Sequence, residues 1–463
     1  MFKAETYVAR RKTLMERVGS GIIVLLGNDE APMNYRDNTY RYRQDSTFLY
    51  YFGLNHADLA AVMDCDAGTV TVIGDELTID HIVWMGTQPT LKARSEAVGV
   101  GHTAPAASLK ETVREALSKN RVIHFLPPYR DTHTLKLARL LGMPIDNIES
   151  AASLDLVRAV VDQRNIKSAE EIEELDRAVS VSTDMHLAAY RMVRPGLNEA
   201  EVAAEVQRVA QAAGGDISFP IIATINGQTL HNHYHGNTLK SGDLFLLDAG
   251  AETPMGYAGD LSSTMPVDPT FTERQKEIYN IALNAHNASI AQLKPGTPFR
   301  DAHLAACRVI AQGMKDMGFM KGDVDEAVAA GAHAMFFQCG TGHMMGLDVH
   351  DMENLGEVWV GYAGEAKSTQ FGLKSLRLAR PLEPGFVVTV EPGIYFIPEL
   401  IDLWKRENRH AEFLNYDKIE SYRDFGGLRN EEDFVITEDG ARLLGKKKPK
   451  TIEEVEALRQ TSS

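Results

Sequence analysis

Acidic side chains interrupt the most apolar stretches of this 463-residue chain. Asp248 ends the run LFLL, Asp260 begins the segment DLSSTMPV, and Glu391 directly follows FVVTV. A lone Asp after an apolar run is often only a turn residue. If a strand, a short connection and a returning strand bring Asp248 and Asp260 face to face, however, the two carboxylates repel unless they share a proton or a cation. A buried Glu391 needs a partner for the same reason.

The charge balance bears on the class of partner. Lys and Arg total 48 and Asp and Glu total 64, which gives a formal net charge of −16. This excludes a general affinity for nucleic acid and argues against binding to anionic membranes. No apolar run reaches the roughly 18 residues that a transmembrane helix needs. Cys65, Cys307 and Cys339 are too scattered for a disulfide framework. With no export signal visible, we expect a cytoplasmic protein.

Two parts of the chain differ in their patterns. Between residues 21 and 101, short apolar runs such as GIIVLLGN and HIVWMG have strand-like spacing and are broken by Gly, Asp and Asn. We predict a smaller α/β N-terminal domain over residues 1–160. Ser168 and Glu171 then form a capping box that begins a helix. Beyond it, helices and strands do not alternate regularly, which predicts an α+β domain over residues 165–463.

Further candidate ligands occur in two glycine-containing motifs. His343 lies in GTGHMMGLDVHD, with His350 seven residues later, and the glycines permit close backbone approach. Taken alone, His343 is more simply a core histidine. Glu431 lies in GGLRNEEDFVIT beside Arg429, where an exposed, salt-bridged loop is the simpler interpretation of the motif by itself.

Together the candidates form a set with the composition of a metal centre: Asp248, Asp260, His343, Glu391 and Glu431. Four carboxylates neutralise two divalent cations, and bridging carboxylates hold such ions about 3.5–4 Å apart. Oxygen ligands with one imidazole suit Mn²⁺ or a similar hard ion, with Zn²⁺ or Co²⁺ as alternatives. Paired ions of this kind lower the pKa of a bridging water, which indicates a hydrolase.

Five motifs, in order along the chain, resemble those of a known family. They are DAGAE, GYAGDLSSTMPV, GHMMGLDVHD, LEPGFVVTVEPGIY and GGLRNEEDFVIT. They are similar to the metal motifs of the proline-specific pita-bread metallopeptidases, namely Xaa-Pro aminopeptidase (aminopeptidase P) and Xaa-Pro dipeptidase (prolidase). YRQDSTFLYYFGL resembles the N-terminal domain of the same branch. The resemblance implies a pita-bread catalytic domain, a dinuclear centre, commonly with manganese, and cleavage of the bond that precedes proline.

The resemblance also implies roles for single residues. The five candidates above fall on the metal-ligand positions, Glu431 being chosen over Glu432 by its spacing from Gly427. Glu391 would in addition act as the proton shuttle for the attacking water. His350 falls on the position of a histidine that contacts substrate near the scissile carbonyl.

Weaker assignments follow from the same resemblance. His231 in NGQTLHNHYHGN is the preferred second catalytic histidine, with His233 as the alternate substrate contact. Arg429 would orient a ligand carboxylate. Arg380 and Tyr395 are candidate substrate contacts, although Tyr395 could equally be a core aromatic residue.

The sequence departs from the family pattern in two places. Cys339 stands where the family often has a histidine, and residues 396–426 form a long insert whose end resembles prolidases. A nucleophilic Cys339 is disfavoured, because the metal ligands already explain hydrolysis. The N-terminal domain and the compact Asp248–Asp260 spacing fit aminopeptidase P equally well.

The leading hypothesis is therefore a metal-dependent Xaa-Pro aminopeptidase that acts on short peptides with proline at the second position. By resemblance it would be a homo-oligomer, a dimer or larger, whose N-terminal domain restricts access and contributes oligomer contacts. The alternatives are an Xaa-Pro dipeptidase, another pita-bread activity such as methionine aminopeptidase or creatinase, and a non-catalytic pita-bread binding protein.

Overall fold

A computed structural model describes residues 1–461, which divide into two units. The first unit contains Met1–Arg164 and the short segment Met352–Trp359. The second contains Asn165–Asp351 and the chain from Val360 onwards. Within residues 1–461, no helix combines the length and the apolar character that crossing a membrane requires.

The α-helices account for most of the regular structure. In chain order they are α1 (Ala4–Val18), α2 (Ser46–Phe52), α3 (Ile79–Met85), α4 (Leu91–Glu96), α5 (Ser108–Ser118), α6 (Asp131–Leu141), α7 (Leu154–Asn165), α8 (Ala169–Met192), α9 (Glu199–Ala212), α10 (Glu273–Ile290), α11 (Phe299–Asp316), α12 (Val324–Ala330), α13 (Glu357–Val360), α14 (Pro398–Arg406), α15 (Tyr416–Glu420) and α16 (Ile452–Gln460). Short 3₁₀ turns occur at Ile145–Asn147, Glu149–Ala151, Ala332–Met335 and Glu353–Leu355.

The strands are mostly short. They are β1 (Ile22–Leu26), β2 (Pro32–Tyr35), β3 (Asn38–Thr39), β4 (Ala60–Asp64), β5 (Thr69–Ile73), β6 (His102–Ala104), β7 (Ile123–His124), β8 (Asp216–Ile217), β9 (Ile222–Thr224), β10 (Leu244–Ala249), β11 (Ala251–Glu252), β12 (Leu261–Pro266), β13 (Val387–Val390), β14 (Gly393–Tyr395), β15 (Gly427–Arg429), β16 (Glu432–Ile436) and β17 (Ala441–Leu443).

The first unit is built on a five-stranded mixed sheet with the order β6-β5-β4-β1-β7. Strands β1, β4 and β5 pair antiparallel, whereas β7 and β6 join the two edges in parallel. One face is closed by apolar side chains of β1, β4 and α5, including Ile22, Val62 and Val113. Mixed strands and helices confirm the predicted α/β character of this part of the chain.

The segment HIVWMG is helical, contrary to the strand-like interpretation of its apolar run. Thr78 caps α3: its hydroxyl accepts from the backbone of His81, and the His81 ring accepts from the backbone of Thr78. None of the residues of α3 is buried. The local cap decides the structure here, because an apolar run of this length has no periodicity that separates a helix from a strand.

The second unit combines long helices with two three-stranded sheets, β12-β10-β9 and β13-β16-β17. This mixture confirms the predicted α+β class. The capping box of Ser168 and Glu171 is present at the start of α8, as predicted. Strand β12 returns antiparallel beside β10 and places Ser262 opposite Asp248, which confirms the predicted returning strand.

The strand ends of this unit position its acidic residues. Asp248 is the fifth residue of β10, and Asp260 immediately precedes β12. Glu391 follows β13, and Glu431 lies between β15 and β16. Strand β13 pairs antiparallel with β16, and β14 pairs antiparallel with β15. This pairing brings the segments that carry Glu391 and Glu431 together. Side chains that are distant in sequence therefore converge at one group of strand ends.

Candidate metal centre

An acidic cluster with one imidazole lies at these strand ends. Ligand atoms of Asp260, His343 and Glu431 all lie within 4.8 Å of one another, and all three residues are buried. The His343 Nε2 atom is 3.3 Å from Asp260 Oδ2 and 3.7 Å from Glu391 Oε1. Asp248 faces the same cavity as these four residues. The structure thus brings together all five residues that the sequence proposed as ligands.

The tautomer of His343 follows from its contacts. Its Nδ1 lies 2.9 Å from the carbonyl oxygen of Met344, which can only accept, so Nδ1 carries the proton and donates. The other ring nitrogen, Nε2, faces Asp260 and Glu391. A backbone carbonyl that accepts from one nitrogen, with the other nitrogen turned towards the acids, is the usual arrangement of a metal-bound histidine.

Gly342 allows His343 to come this close to β13. A Cβ at residue 342 would lie 2.1 Å from the carbonyl oxygen of Thr389. The backbone N–H of His343 donates to Thr389 Oγ1 at 3.1 Å. A glycine is therefore required at this position because the backbone comes close to β13, as the sequence pattern suggested. Any larger residue would push the imidazole away from the acids.

Several carboxylate oxygens in the cluster have no partner. Among the residues described, Asp248 Oδ1, Asp260 Oδ1 and Glu431 Oε1 are buried and make no hydrogen bond. Unpaired buried acceptors of this kind are costly unless a proton or a cation satisfies them. Oxygen donors with one imidazole suit divalent cations of the Mn²⁺ type. The donor set therefore fits a metal centre.

Mutual repulsion and burial act on the ionisation of the acids. Burial, reinforced by the charge of Asp248, raises the pKa of Asp260 to about 8. Burial also raises the pKa of Glu391 to about 7, with His343 and Arg429 opposing the shift. Glu431 has a pKa well above its usual value for the same reason. The metal-free cluster resists holding its full negative charge, so divalent cations would stabilise it.

Arg429 is the cation that the chain itself provides. Its guanidinium donates to Asp248 Oδ2 at 2.6 Å, to Ser262 Oγ at 2.9 Å and to the Tyr395 hydroxyl at 2.8 Å. Ser262 in turn donates to Glu431 Oε2 at 2.7 Å. One arginine therefore holds two of the proposed ligands in place, one directly and one through a serine.

Asp433 is a supporting residue that the sequence did not reveal. Its Oδ2 accepts the backbone N–H of Asp260 at 3.0 Å. It lies in the strand Glu432–Ile436, all five residues of which are buried, and its acidic neighbours in the sequence gave no sign of this supporting role.

A cavity of about 550 Å³ opens from the acidic cluster. His231, His233 and His350 line it together with Cys339, and the ring of His350 packs edge-on against that of His343 with centroids 4.2 Å apart. Partial burial lowers the pKa of His231, which favours its neutral form. Burial raises the pKa of the Cys339 thiol to about 12. The thiol is therefore protonated at neutral pH and poorly suited to act as a nucleophile.

Two candidate substrate contacts lie elsewhere. Tyr395 is fully buried, and its hydroxyl accepts from Arg429 rather than lining the cavity. Arg380 pairs with Glu383 at 3.1 Å and lies over the ring of Phe386. Neither residue is among those that line the cavity.

Other residues line the cavity that the sequence did not single out. Arg377 and Ser375 come from the same segment, GLKSLRLAR, as Arg380. An apolar part of the wall is formed by Phe219, Pro220, Ile222, Leu230 and Val349. The sequence shows that this segment contains arginines. It does not show which of them faces the cavity, because that depends on an irregular loop without a repeating pattern of residues.

Comparisons with known proteins identify metallopeptidases as relatives over nearly the whole chain. The model for metallopeptidase family M24 matches residues 173–438, and that for the aminopeptidase P N-terminal domain matches residues 7–124. The Xaa-Pro dipeptidase of Homo sapiens is 31% identical over 96% of this chain and 90% of that protein. The Xaa-Pro aminopeptidase of Escherichia coli (strain K12) is 32% identical over 98% of this chain and 97% of that protein.

A solved structure shares the fold. A zinc-substituted aminopeptidase P from E. coli, in complex with product, superposes with a TM-score of 0.82 at 29% identity and covers 100% of this chain and 99% of its own. The predicted pita-bread catalytic domain with a preceding N-terminal domain is thereby confirmed. The chain belongs to metallopeptidase family M24, in the group that contains the Xaa-Pro aminopeptidases and Xaa-Pro dipeptidases.

Proposed function

We propose that this protein is a metal-dependent Xaa-Pro aminopeptidase, which hydrolyses the N-terminal Xaa-Pro bond of peptides. The observation that carries the proposal is the convergence of unpaired, buried carboxylate oxygens and the His343 Nε2 atom at the edge of a cavity large enough for a short peptide. The proposal assigns metal binding to Asp248, Asp260, His343, Glu391 and Glu431.

The proposed cofactor is a pair of divalent cations, Mn²⁺ in preference to Zn²⁺ or Co²⁺, because the donors are mostly hard oxygen atoms. Such ions, when bound, lower the pKa of water and polarise a carbonyl group. The chain itself contributes position and charge. Arg429 fixes Asp248 directly and Glu431 through Ser262, so the acids face one another before any ligand arrives.

Proton transfer is assigned to Glu391. Glu391 lines the cavity beside His343, where a carboxylate can accept a proton from an attacking water and return it. His231 and His350 line the cavity beside the acids. An imidazole N–H from either residue can donate to the oxygen that becomes negative as the peptide bond is attacked.

The apolar wall of the cavity supports specificity for proline. Phe219, Pro220 and Leu230 offer a surface for a pyrrolidine ring. The nitrogen of an Xaa-Pro bond carries no N–H, so a site that reads backbone N–H groups cannot recognise it. Shape and apolar contact must replace that hydrogen bond, which is what this part of the cavity provides.

The domain assignments remain part of the proposal. We assign catalysis to residues 165–463, and control of substrate access and homo-oligomer contacts to residues 1–160. Size-exclusion chromatography with light scattering tests the oligomer, and a monomer at all concentrations would contradict it.

The metal assignment is tested by matched carboxylate-to-amide changes. Glu431→Gln keeps the shape of a buried proposed ligand, whereas Glu438→Gln changes an exposed acid seven residues away. We expect E431Q to lose at least about a hundredfold in kcat/KM on an Xaa-Pro-Yaa tripeptide and to retain less Mn²⁺ after dialysis. E438Q should match the native protein in both. Full activity and metal content in E431Q would contradict the assignment, and failure of the native protein to bind metal would favour a non-catalytic binding protein.

The second candidate is an Xaa-Pro dipeptidase, favoured by the similarity to the human relative of that name. A peptide series that extends from Xaa-Pro through Xaa-Pro-Yaa to longer chains separates the two at fixed Mn²⁺. An aminopeptidase releases the first residue from the tripeptide and from longer peptides. Cleavage confined to the dipeptide would identify a dipeptidase, and equal cleavage of Xaa-Ala-Yaa would contradict proline specificity.

A further inference from the structure

A second cluster of metal-ligating side chains lies inside the second unit. His303 and Cys307 occupy positions four residues apart on α11, so both lie on one helix face. His333 lies in the 3₁₀ turn Ala332–Met335. One ligand atom from each of the three residues lies within 4.8 Å of the other two, and all three residues are buried.

The contacts of His303 prepare it for a ligand. Its Nδ1 is 2.9 Å from the hydroxyl of Thr341, and its Nε2 is 3.4 Å from the sulfur of Cys307. If Nδ1 carries the proton and donates to Thr341, the Nε2 lone pair points at the thiol. An oxygen acceptor behind one nitrogen and an open lone pair at the other is the arrangement found in metal-bound histidines.

His333 provides an independent observation. It is 3% exposed, and within residues 1–461 neither of its ring nitrogens makes a hydrogen bond of good distance and angle; its closest polar contact is with the backbone of Val328. Its ring centroid is 6.5 Å from that of His303. A buried imidazole without a well-formed hydrogen bond is costly. Burial lowers the pKa of His303 to about 3 and of His333 to about 4, which leaves both rings neutral and free to act as ligands.

The spacing matches a small cation that prefers nitrogen and sulfur. Bond lengths of about 2.0–2.3 Å to Zn²⁺ place tetrahedral ligand atoms about 3.3–3.8 Å apart. The observed 3.4 Å between Cys307 Sγ and His303 Nε2 already falls in that range. The remaining separations, at most 4.8 Å, need a contraction of about 1 Å.

We propose that His303, Cys307 and His333 form a buried site for a divalent cation of the zinc class, distinct from the carboxylate centre. As the cation binds, the Cys307 S–H bond breaks, its electron pair forms the sulfur–metal bond, and the proton passes to solvent. No oxidant or reductant is involved. The two centres differ in chemistry, since one offers oxygen donors and the other offers two imidazoles and a thiolate.

The full-length, metal-depleted protein is titrated with Co²⁺, which substitutes for Zn²⁺ and shows an ultraviolet charge-transfer band only when a thiolate is bound. In the native protein we expect a band whose intensity corresponds to one cobalt–thiolate bond per chain. We expect the same intensity in E431Q, whose proposed carboxylate centre is impaired. The band should fall at least about tenfold in Cys307→Ser and persist in Cys65→Ser, the matched change at a cysteine of the first unit. Because peptide hydrolysis is not measured, failure here is distinguishable from failure of the proposed function.

Cys339 lines the carboxylate cavity, so it is another thiol that Co²⁺ could bind. The band must therefore survive in Cys339→Ser. A band that is lost in C339S but kept in C307S would place the thiolate in the cavity and overturn the proposal. Absence of any thiolate band in the native protein would overturn it as well, whether or not the variants fold. His333→Phe, which fills the ring volume, should weaken Co²⁺ binding at this site at least about tenfold.

Discussion

At the scale of single residues, Arg429 shows how the charge cluster is organised. Its three side-chain hydrogen bonds reach Asp248, Ser262 and Tyr395. A lysine would keep the positive charge but lose the planar fork that makes these bonds together. We expect Arg429→Lys to weaken Mn²⁺ binding by about 10–100-fold, since residues that orient metal ligands typically contribute that much. Isothermal titration calorimetry of the metal-depleted protein measures the change.

Tyr395→Phe provides the matched control for this prediction. It removes one acceptor of the Arg429 guanidinium and leaves the buried ring in place. The contact between Arg429 and Asp248 is untouched, so Mn²⁺ affinity should fall by less than about tenfold. If Y395F weakens binding as much as R429K does, the arginine does not act through the carboxylates.

At the same scale, the proposed ligands stand out in the sequence, whereas some of their neighbours do not. Glu391 is conspicuous because it ends the apolar run FVVTV, and Asp248 because it ends LFLL. A buried charge at the end of a strand requires a partner, and that requirement is visible in sequence. Arg377 and Arg380 share the segment GLKSLRLAR, yet only Arg377 lines the cavity. Their directions are set by an irregular loop and leave no trace in the spacing.

At the scale of elements, a buried ion pair ties the start of α8 to the loop that carries His350. Lys167 Nζ donates to Asp351 Oδ2 at 3.0 Å, and both side chains are 1% exposed. Lys167→Met would leave the Asp351 carboxylate buried without this partner. We expect a loss of about 3–5 kcal/mol in the free energy of unfolding. The unfolding transition of the second unit in urea measures this loss.

Lys446→Met is the matched change at an exposed pair. Lys446 contacts Asp184 at 2.7 Å, with side chains 55% and 43% exposed. Solvent screens this interaction, so the loss should be about 1 kcal/mol or less. A loss in K167M no larger than in K446M would show that the buried pair does not hold these segments together.

Elements were predictable where a cap or a period marked them. The box of Ser168 and Glu171 begins α8 as the sequence indicated, and β12 returns beside β10 as the spacing of the two acids required. The segment HIVWMG is a helix because Thr78 caps it, which its apolar run does not show. Helices α14 and α15 lie in the insert at residues 396–426, where neither helix was predicted.

At the scale of the whole molecule, the net charge of −16 conceals two kinds of acid. Many carboxylates are exposed and paired with Lys or Arg, as Asp402 is with Arg423. The few in the cluster are buried, and burial raises the pKa values of Asp260, Glu391 and Glu431. The pH dependence of stability in the metal-free protein should therefore come disproportionately from these few groups.

The sign of that dependence follows from the raised pKa values. In the unfolded chain Asp260 and Glu391 ionise near their ordinary values of 3.8 and 4.5, whereas in the folded, metal-free chain their pKa values are about 8 and about 7. Protonated carboxyls favour the fold below the unfolded values, and this contribution is lost as pH rises towards 8. We expect the melting temperature of the chelated protein to fall by about 5 °C or more between about pH 5 and about pH 8.

Saturating Mn²⁺ should remove most of this fall, because cations favour the ionised carboxylates. The stabilisation by Mn²⁺ should accordingly grow with pH over the same interval and shrink in Asp260→Asn, which cannot ionise. Differential scanning calorimetry at matched ionic strength, with and without Mn²⁺, measures both quantities. A chelated protein whose melting temperature is flat or rises between these pH values, or a Mn²⁺ effect that is equal in D260N, would show that the buried acids are not the groups that couple stability to metal.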